Sequence, residues 1–398
     1  MNSKANSGQR VLILTGQLGD GHRQAACAIV EAWRELKPGA EVHVIDYLEW
    51  THPHLHELGT SCYKKWVTTM PSMYGYLFEL TRRQGLFSKM FRKLRLFRTE
   101  RMMALLDEVR PDVVVSTLPA AAGAMSFLKE HGLTSVPTVT VITDHTDHSY
   151  WLHPNTDRYL VGSQRTRRML INQQVPGARI EVTGIPVRRQ FGSVDGDRAA
   201  LRERLGLKAH APVVLVMGGG FGMIGLPLLD LLTEGDLPDN LQFVIVCGRN
   251  EKLLRKLTAE LGDMGGRIRL TGYVDNVHEW MAAADLIVTK PGGLTVSEAQ
   301  SLALPMLLFQ PLPGQEQDNA DYLVEAGVAL QAYSRRELAT ILISLFQNPQ
   351  LLTTIRNRAK RLQTESASAN VVSAIALACP AAMAAAGPVP APALLAEA

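Results

Sequence analysis

The 398-residue sequence predicts an α/β protein built from two doubly wound, Rossmann-like domains facing a common cleft, and three observations carry that prediction. Short apolar runs alternate with helix-period stretches along most of the chain, the pattern of parallel strands wrapped by helices. The pattern begins at Arg10 and begins again at Val213, with a polar interval from Arg188 to Asp197 between the two halves. Glycine-rich loops follow strand-like runs in both halves, where open α/β sheets bind their ligands.

Residues 1–9 are polar, without the apolar segment of a signal peptide, and are expected to be disordered. Val11 to Leu14 reads as the first strand, followed by a glycine-rich loop and a helix whose apolar residues recur from Ala25 to Leu36. Further strands are expected at 42–47, 113–116, 138–142, 159–161 and 180–183, giving a first domain over 10–187. A linker over 188–197 leads to a second domain over 198–375, with strands at 213–217, 243–247, 268–270, 286–289 and 306–310. Residues 380–398, rich in Ala and Pro without a polar/apolar period, read as a disordered tail.

A net charge of +3 is too small to argue for nucleic acid as a partner. Cys27, Cys62, Cys247 and Cys379 form no CxxC pair, which fits a reducing, cytoplasmic setting better than a disulfide framework. No run of about 18 apolar residues offers a membrane span.

Three loops are suited to a phosphorylated ligand, because glycine lets backbone amides approach closely and a following helix adds partial positive charge. They are Gly16 to His22, Gly218 to Gly222, and Pro291-Gly292-Gly293. The third runs into a helix carrying Ser297 and Glu298, a carboxylate suited to ribose hydroxyls. The polar cluster Pro313-Gly314-Gln315-Glu316-Gln317-Asp318-Asn319 supplies the donors and acceptors that sugar hydroxyls need. No Asp-x-Asp follows a strand in the manner of a diphosphate-binding metal site, so no metal is expected, and the His and Asp residues from Asp144 to His153 read as cleft-lining groups.

These motifs resemble the monogalactosyldiacylglycerol synthase and processive diacylglycerol glucosyltransferase group of glycosyltransferase family 28. The likeness runs from Arg10 to about Asn370 through Gly19-x-Gly21-His22, Thr143-Asp144, Trp151-x-His153, Val182 to Arg188, Val246 to Asn250, Gly272-Tyr273-Val274, Thr289 to Thr295, Ser297-Glu298-Ala299 and Pro313 to Glu316. The resemblance implies a GT-B fold and an inverting transfer of hexose from UDP-glucose or UDP-galactose to 1,2-diacylglycerol, in one or several rounds, with the UDP-sugar as substrate and no cofactor. It places the acceptor on the first domain and the donor on the second. It further implies Tyr273 and Val274 at the uracil, Glu298 at the ribose, Gly292, Gly293, Leu294 and Thr295 at the diphosphate, and Gln315 with Glu316 at the sugar. Gly219, Gly220, Arg249 and Asn319 complete the expected donor set. Gly21, Trp151 and His153 fall on the acceptor side, with His22 and Asp144 as the expected catalytic pair. A neutral His22 suits the proton acceptor, since the unperturbed imidazole titrates near 6.5, while Asp144 either takes the proton or orients the ring.

Between Arg82 and Arg101 eight basic residues stand against one acid, a local charge of +7. On a helix, Phe87, Met90 and Phe91 gather opposite Lys89, Arg92 and Lys93, with Arg95 following. This segment is expected to bind an anionic membrane surface, making the protein peripheral to the inner face of the cell membrane. The rival readings are a transferase acting on a polyprenyl-linked acceptor, a nucleotide-sugar epimerase, and a UDP-sugar sensor without turnover.

Overall fold

The apolar run Arg10–Thr15 forms β1, buried beyond its first residue, because a central strand of a parallel sheet is covered on both faces. It joins β2 (Glu41–Asp46), β3 (Val113–Ser116), β4 (Thr138–Val141), β5 (Arg158–Val161) and β6 (Ile180–Val182) in a sheet of order β2-β1-β3-β4-β5-β6. A second sheet holds β7 (Val213–Met217), β8 (Gln242–Val246), β9 (Ile268–Thr271), β10 (Leu286–Thr289), β11 (Met306–Phe309) and β12 (Ala329–Ala332), in the order β12-β11-β10-β7-β8-β9. All pairings are parallel. The structure is a computed structural model and describes residues 9–17, 20–54, 61, 65–83, 85, 98–192, 194, 197–220, 222, 237–261, 266–364 and 366–379.

The helices are α1 (Asp20–Leu36), α2 (Tyr47–Thr51), α3 (Pro71–Arg82), α4 (Thr99–Val109), α5 (Pro119–Glu130), α6 (Gln164–Asn172), α7 (Arg198–Arg204), α8 (Glu251–Leu261), α9 (Val277–Ala283), α10 (Gly293–Ser301), α11 (Gln315–Glu325), α12 (Arg335–Gln347), α13 (Pro349–Leu362) and α14 (Ala367–Ala378). α1 buries Ala25, Ala26, Ala28, Ile29 and Trp33, a one-sided set at helical spacing whose small members allow close packing. It starts at Asp20, earlier than its apolar period suggests, so His22 stands in a first helical turn.

Three features depart from the sequence-based expectation. β12 is an additional edge strand: Ala-Leu-Gln-Ala has no β-branched residue, and its pairing with β11 makes it a strand. α14, within the span 198–375 expected for the second domain, packs on the first sheet. Val371, Val372, Ala374 and Ile375 share one core with Val11, Ile13, Val113, Val139 and Leu160. Within the expected linker, Phe191 is buried in the second domain's core and Arg188 and Arg189 pair with Glu31 and Glu35 of α1 at 2.9 Å each. Among the described residues no single helix is long and apolar enough to cross a membrane. Residues 1–8, the tail over 380–398 and the basic segment carrying Phe87, Lys89, Phe91, Arg92, Lys93 and Arg95 lie outside the described residues.

Candidate active site in the interdomain cleft

Strand order reverses between β7 and β10 in the second sheet, so the loops leaving these strands diverge and leave a crevice at their carboxyl ends. The loops are Gly218-Gly219-Gly220 and Lys290 to Gly292. With the first turn of α1 opposite, they line a cleft of about 230 Å³. Of the residues expected from the sequence, Gly21, Gly219, Gly220, Tyr273, Val274, Gly292, Gly293, Leu294, Thr295, Glu298 and Glu316 line it. Asp20, Gln24, Arg188, Gln190, Phe191 and Lys290 line it as well and were not singled out. Lys290 directly follows β10 and Arg188 closes the Val182 to Arg188 motif, and these are the signals by which the sequence could have marked them.

α10 begins at the cleft with Gly292 at its N-cap and no capping side chain, which leaves first-turn amides available to a ligand. The Gly293 amide is directed at Asp144 of the first domain. A Cβ at Gly293 would collide with the Thr143 carbonyl and approach Asp144 Oδ1, so only glycine permits this closeness of the two domains. The Leu294 side chain packs with Ala25 and Ile185.

Two carboxyls in the cleft wall sit in poorly solvated positions. Desolvation pushes Glu298 up to about 8, against the opposing charge of Arg188. Burial likewise raises Glu316, while a 2.7 Å bond from the Leu312 amide and the charge of Lys290 favour its ionised form. At the far end the Arg249 guanidinium lies 4.3 Å from the centre of the half-exposed Tyr273 ring and pairs with Asp20 across the cleft at 2.7 Å.

His22 sits at the reversal point of the first sheet, between the ends of β1 and β3. Its Nδ1 is 3.1 Å from Thr143 Oγ1, its carbonyl accepts from Thr117 Oγ1 at 3.2 Å, and its ring meets the edge of Trp151 at 5.9 Å. Burial lowers its pKa to about 4, so the ring is neutral at cellular pH.

Several expected assignments change. Asn319 does not face a donor: it is fully buried, its Nδ2 donating to Asp144 Oδ1 and Pro291 O at 2.9 Å each and its Oδ1 accepting from the His145 amide at 2.6 Å. Gln315 lies outside the cleft lining, and its Oε1 accepts from the Tyr74 hydroxyl at 2.6 Å. Asp144 is enclosed by Asn319 and Gly293 instead of opening into the cleft. Trp151 and His153 are core residues, Trp151 backing His22 and His153 placing Nε2 3.3 Å from the Pro119 carbonyl. His145 stacks on Tyr322 at 3.9 Å and His148 Nε2 donates to the Phe78 carbonyl at 2.8 Å. Among the described residues no group of three or more His, Cys, Asp or Glu is arranged to hold a metal ion.

The profile of the monogalactosyldiacylglycerol synthase family matches residues 22–187, and that of the glycosyltransferase family 28 C-terminal domain matches 213–376. A processive diacylglycerol beta-glucosyltransferase of Bacillus cereus is 31% identical over 367 residues, covering 92% of this chain and 93% of the relative. The chain belongs to this family. Solved structures agree on the architecture of this diacylglycerol glycosyltransferase family member. Anabaena HepE in complex with UDP-glucose superposes with a TM-score of 0.57 at 17% identity, covering 92% of this chain and 98% of HepE. The kitacinnamycin glycotransferase superposes with a TM-score of 0.62 at 15% identity, covering 94% and 100%. The fold is GT-B, two parallel-sheet domains with the cleft between them.

Proposed function

We propose that the protein is an inverting transferase that moves a hexosyl group from UDP-glucose or UDP-galactose to the hydroxyl of 1,2-diacylglycerol. The carrying observation is the N-terminus of α10 opening beside Lys290 into the interdomain cleft. Charge develops on the departing diphosphate as the bond to the anomeric carbon breaks, and the Leu294 and Thr295 amides with Lys290 are placed to stabilise it. Glu298, one turn deeper, suits the ribose hydroxyls, with Tyr273 and Val274 at the base, Gly219 and Gly220 along the nucleotide, and Glu316 toward the sugar. The acceptor oxygen attacks the opposite face of the anomeric carbon and releases its proton to neutral His22, whose ring is held by Thr143. The family relationship supports the substrate pair. No cofactor enters this scheme beyond the donor itself.

Access to a water-insoluble acceptor calls for an interface. The +7 charge between Arg82 and Arg101 supports docking on the anionic inner face of the cell membrane. The test is incubation with radiolabelled UDP-glucose or UDP-galactose and diacylglycerol vesicles in EDTA, followed by lipid extraction. Label is expected in an organic-soluble glycolipid of β configuration, which mild base converts to water-soluble glycosylglycerol. Label released only as free sugar, or a strict requirement for added divalent metal, overturns the scheme.

A further inference from the structure

One buried amide bridges the two halves of the proposed site. Asn319 Nδ2 reaches both the first domain, at Asp144 Oδ1, and the second domain's phosphate loop, at Pro291 O, while Oδ1 takes the His145 amide. All three polar functions of this residue are spent on register, and none reaches the cleft. Asp144 is approached from the second domain alone in its two assigned hydrogen bonds, by Asn319 and by the Gly293 amide. The neighbouring Thr143 contacts His22 through Oγ1 and backs onto Gly293 through its carbonyl. Thr143 thus stands between His22 and the first turn of α10, next in sequence to the Asp144 that Asn319 binds.

We infer that Asn319 and Asp144 are positioning residues, which set the Thr143 loop that holds the His22 ring against the phosphate-holding helix end of the other domain, and that Asp144 is not the proton acceptor. The inference rests on the transferase reading above. A buried amide with three satisfied bonds tolerates no substitute of different length or polarity without loss of that register. Reacting groups displaced by about 1 Å lose on the order of 100-fold in rate while ground-state binding elsewhere persists.

The experiment measures kcat with UDP-glucose and diacylglycerol vesicles, and UDP affinity by calorimetry, on the full chain. Asn319→Ala is expected to lower kcat about 100-fold with UDP affinity within about threefold of wild type. Asp144→Asn keeps an acceptor oxygen for both amides and is expected to lose only about tenfold, well short of His22→Ala. Asn319→Asp sets two carboxyls face to face, and the exchanged pair Asp144→Asn with Asn319→Asp re-forms one amide-to-carboxylate bond. That double variant is expected to recover at least about tenfold over Asn319→Asp alone, an effect non-additivity measures even where Asn319→Ala fails to fold. The inference is overturned by an Asp144→Asn loss as large as that of His22→Ala, by equal losses of kcat and UDP affinity in Asn319→Ala, or by no recovery in the exchanged pair. Absence of any sugar transfer by the wild-type protein overturns the transferase reading instead.

Discussion

A carboxylic acid one turn inside the α10 N-terminus stands close to where a diphosphate would bind, and its protonation decides whether the two repel. Glu298 is pushed up to about 8, so at pH 7 it is chiefly the neutral acid, able to donate and accept with ribose hydroxyls. Raising the pH through about 8 ionises it and adds a negative charge beside the phosphates. UDP affinity of the wild type should therefore fall as pH rises from 7 to 9, whereas Glu298→Gln, which mimics the neutral form, should show a flat profile. Calorimetry across that range measures both, and a flat wild-type profile would remove Glu298 from the phosphate's vicinity. The same scale explains why Gln315 and Asn319 mislead: their amides suit sugar hydroxyls, yet here they satisfy Tyr74 and Asp144. An amide's partner is set by whichever surface closes over it, and the sequence does not contain that surface.

Among the elements, α11 ties the second domain to the first by side-chain contacts, and α14 carries the chain back to the first sheet. Down its length α11 meets the first domain through Gln315 with Tyr74, Asp318 with Arg82 at 2.7 Å and with Thr146 at 2.5 Å, and Tyr322 stacked on His145. Gly314, at φ +102°, places the entry to this helix against Phe78 and Tyr74, a turn that a side chain would strain. α14 contributes through apolar burial. Ile375 is fully buried in the first sheet's core, so Ile375→Ala should destabilise that domain by about 2–5 kcal/mol through lost transfer energy and a residual cavity. Urea unfolding followed by tryptophan fluorescence measures it. The second domain's cores contain no α14 residue, and UDP affinity in native buffer should remain near wild type.

At the scale of the whole molecule, the proposed donor and membrane functions fall in different domains. Changing Lys89, Arg92, Lys93 and Arg95 together to Gln should remove about 1 kcal/mol each of attraction to anionic lipid at low salt. Cosedimentation with phosphatidylglycerol vesicles should drop strongly, and wild-type binding should weaken as the Debye length shrinks from about 10 Å at 0.1 M salt to about 3 Å at 1 M. UDP affinity should be unchanged, because the cleft lies in the second domain and the first turn of α1. Wild-type sedimentation by the four-fold variant would move the docking face elsewhere. Tyr74 and Phe78, upstream of this segment, are buried and Tyr76 is exposed, so the aromatics there divide between core and surface.

The sequence by itself determined the two parallel sheets and the loops that line the cleft. Each of these rests on local signals: apolar runs such as Val213–Met217, helical period such as Ala25 to Trp33, and glycines at strand ends. Only the tertiary structure decided that α14 belongs to the first sheet, that Ala329–Ala332 is a strand, and that Asp144 and Asn319 face each other across 175 residues of chain. An apolar helix carries no mark of which sheet it will cover, and a buried polar side chain carries none of its partner. Those choices follow from desolvation and packing between surfaces distant in sequence, which exist only once both domains have folded and met.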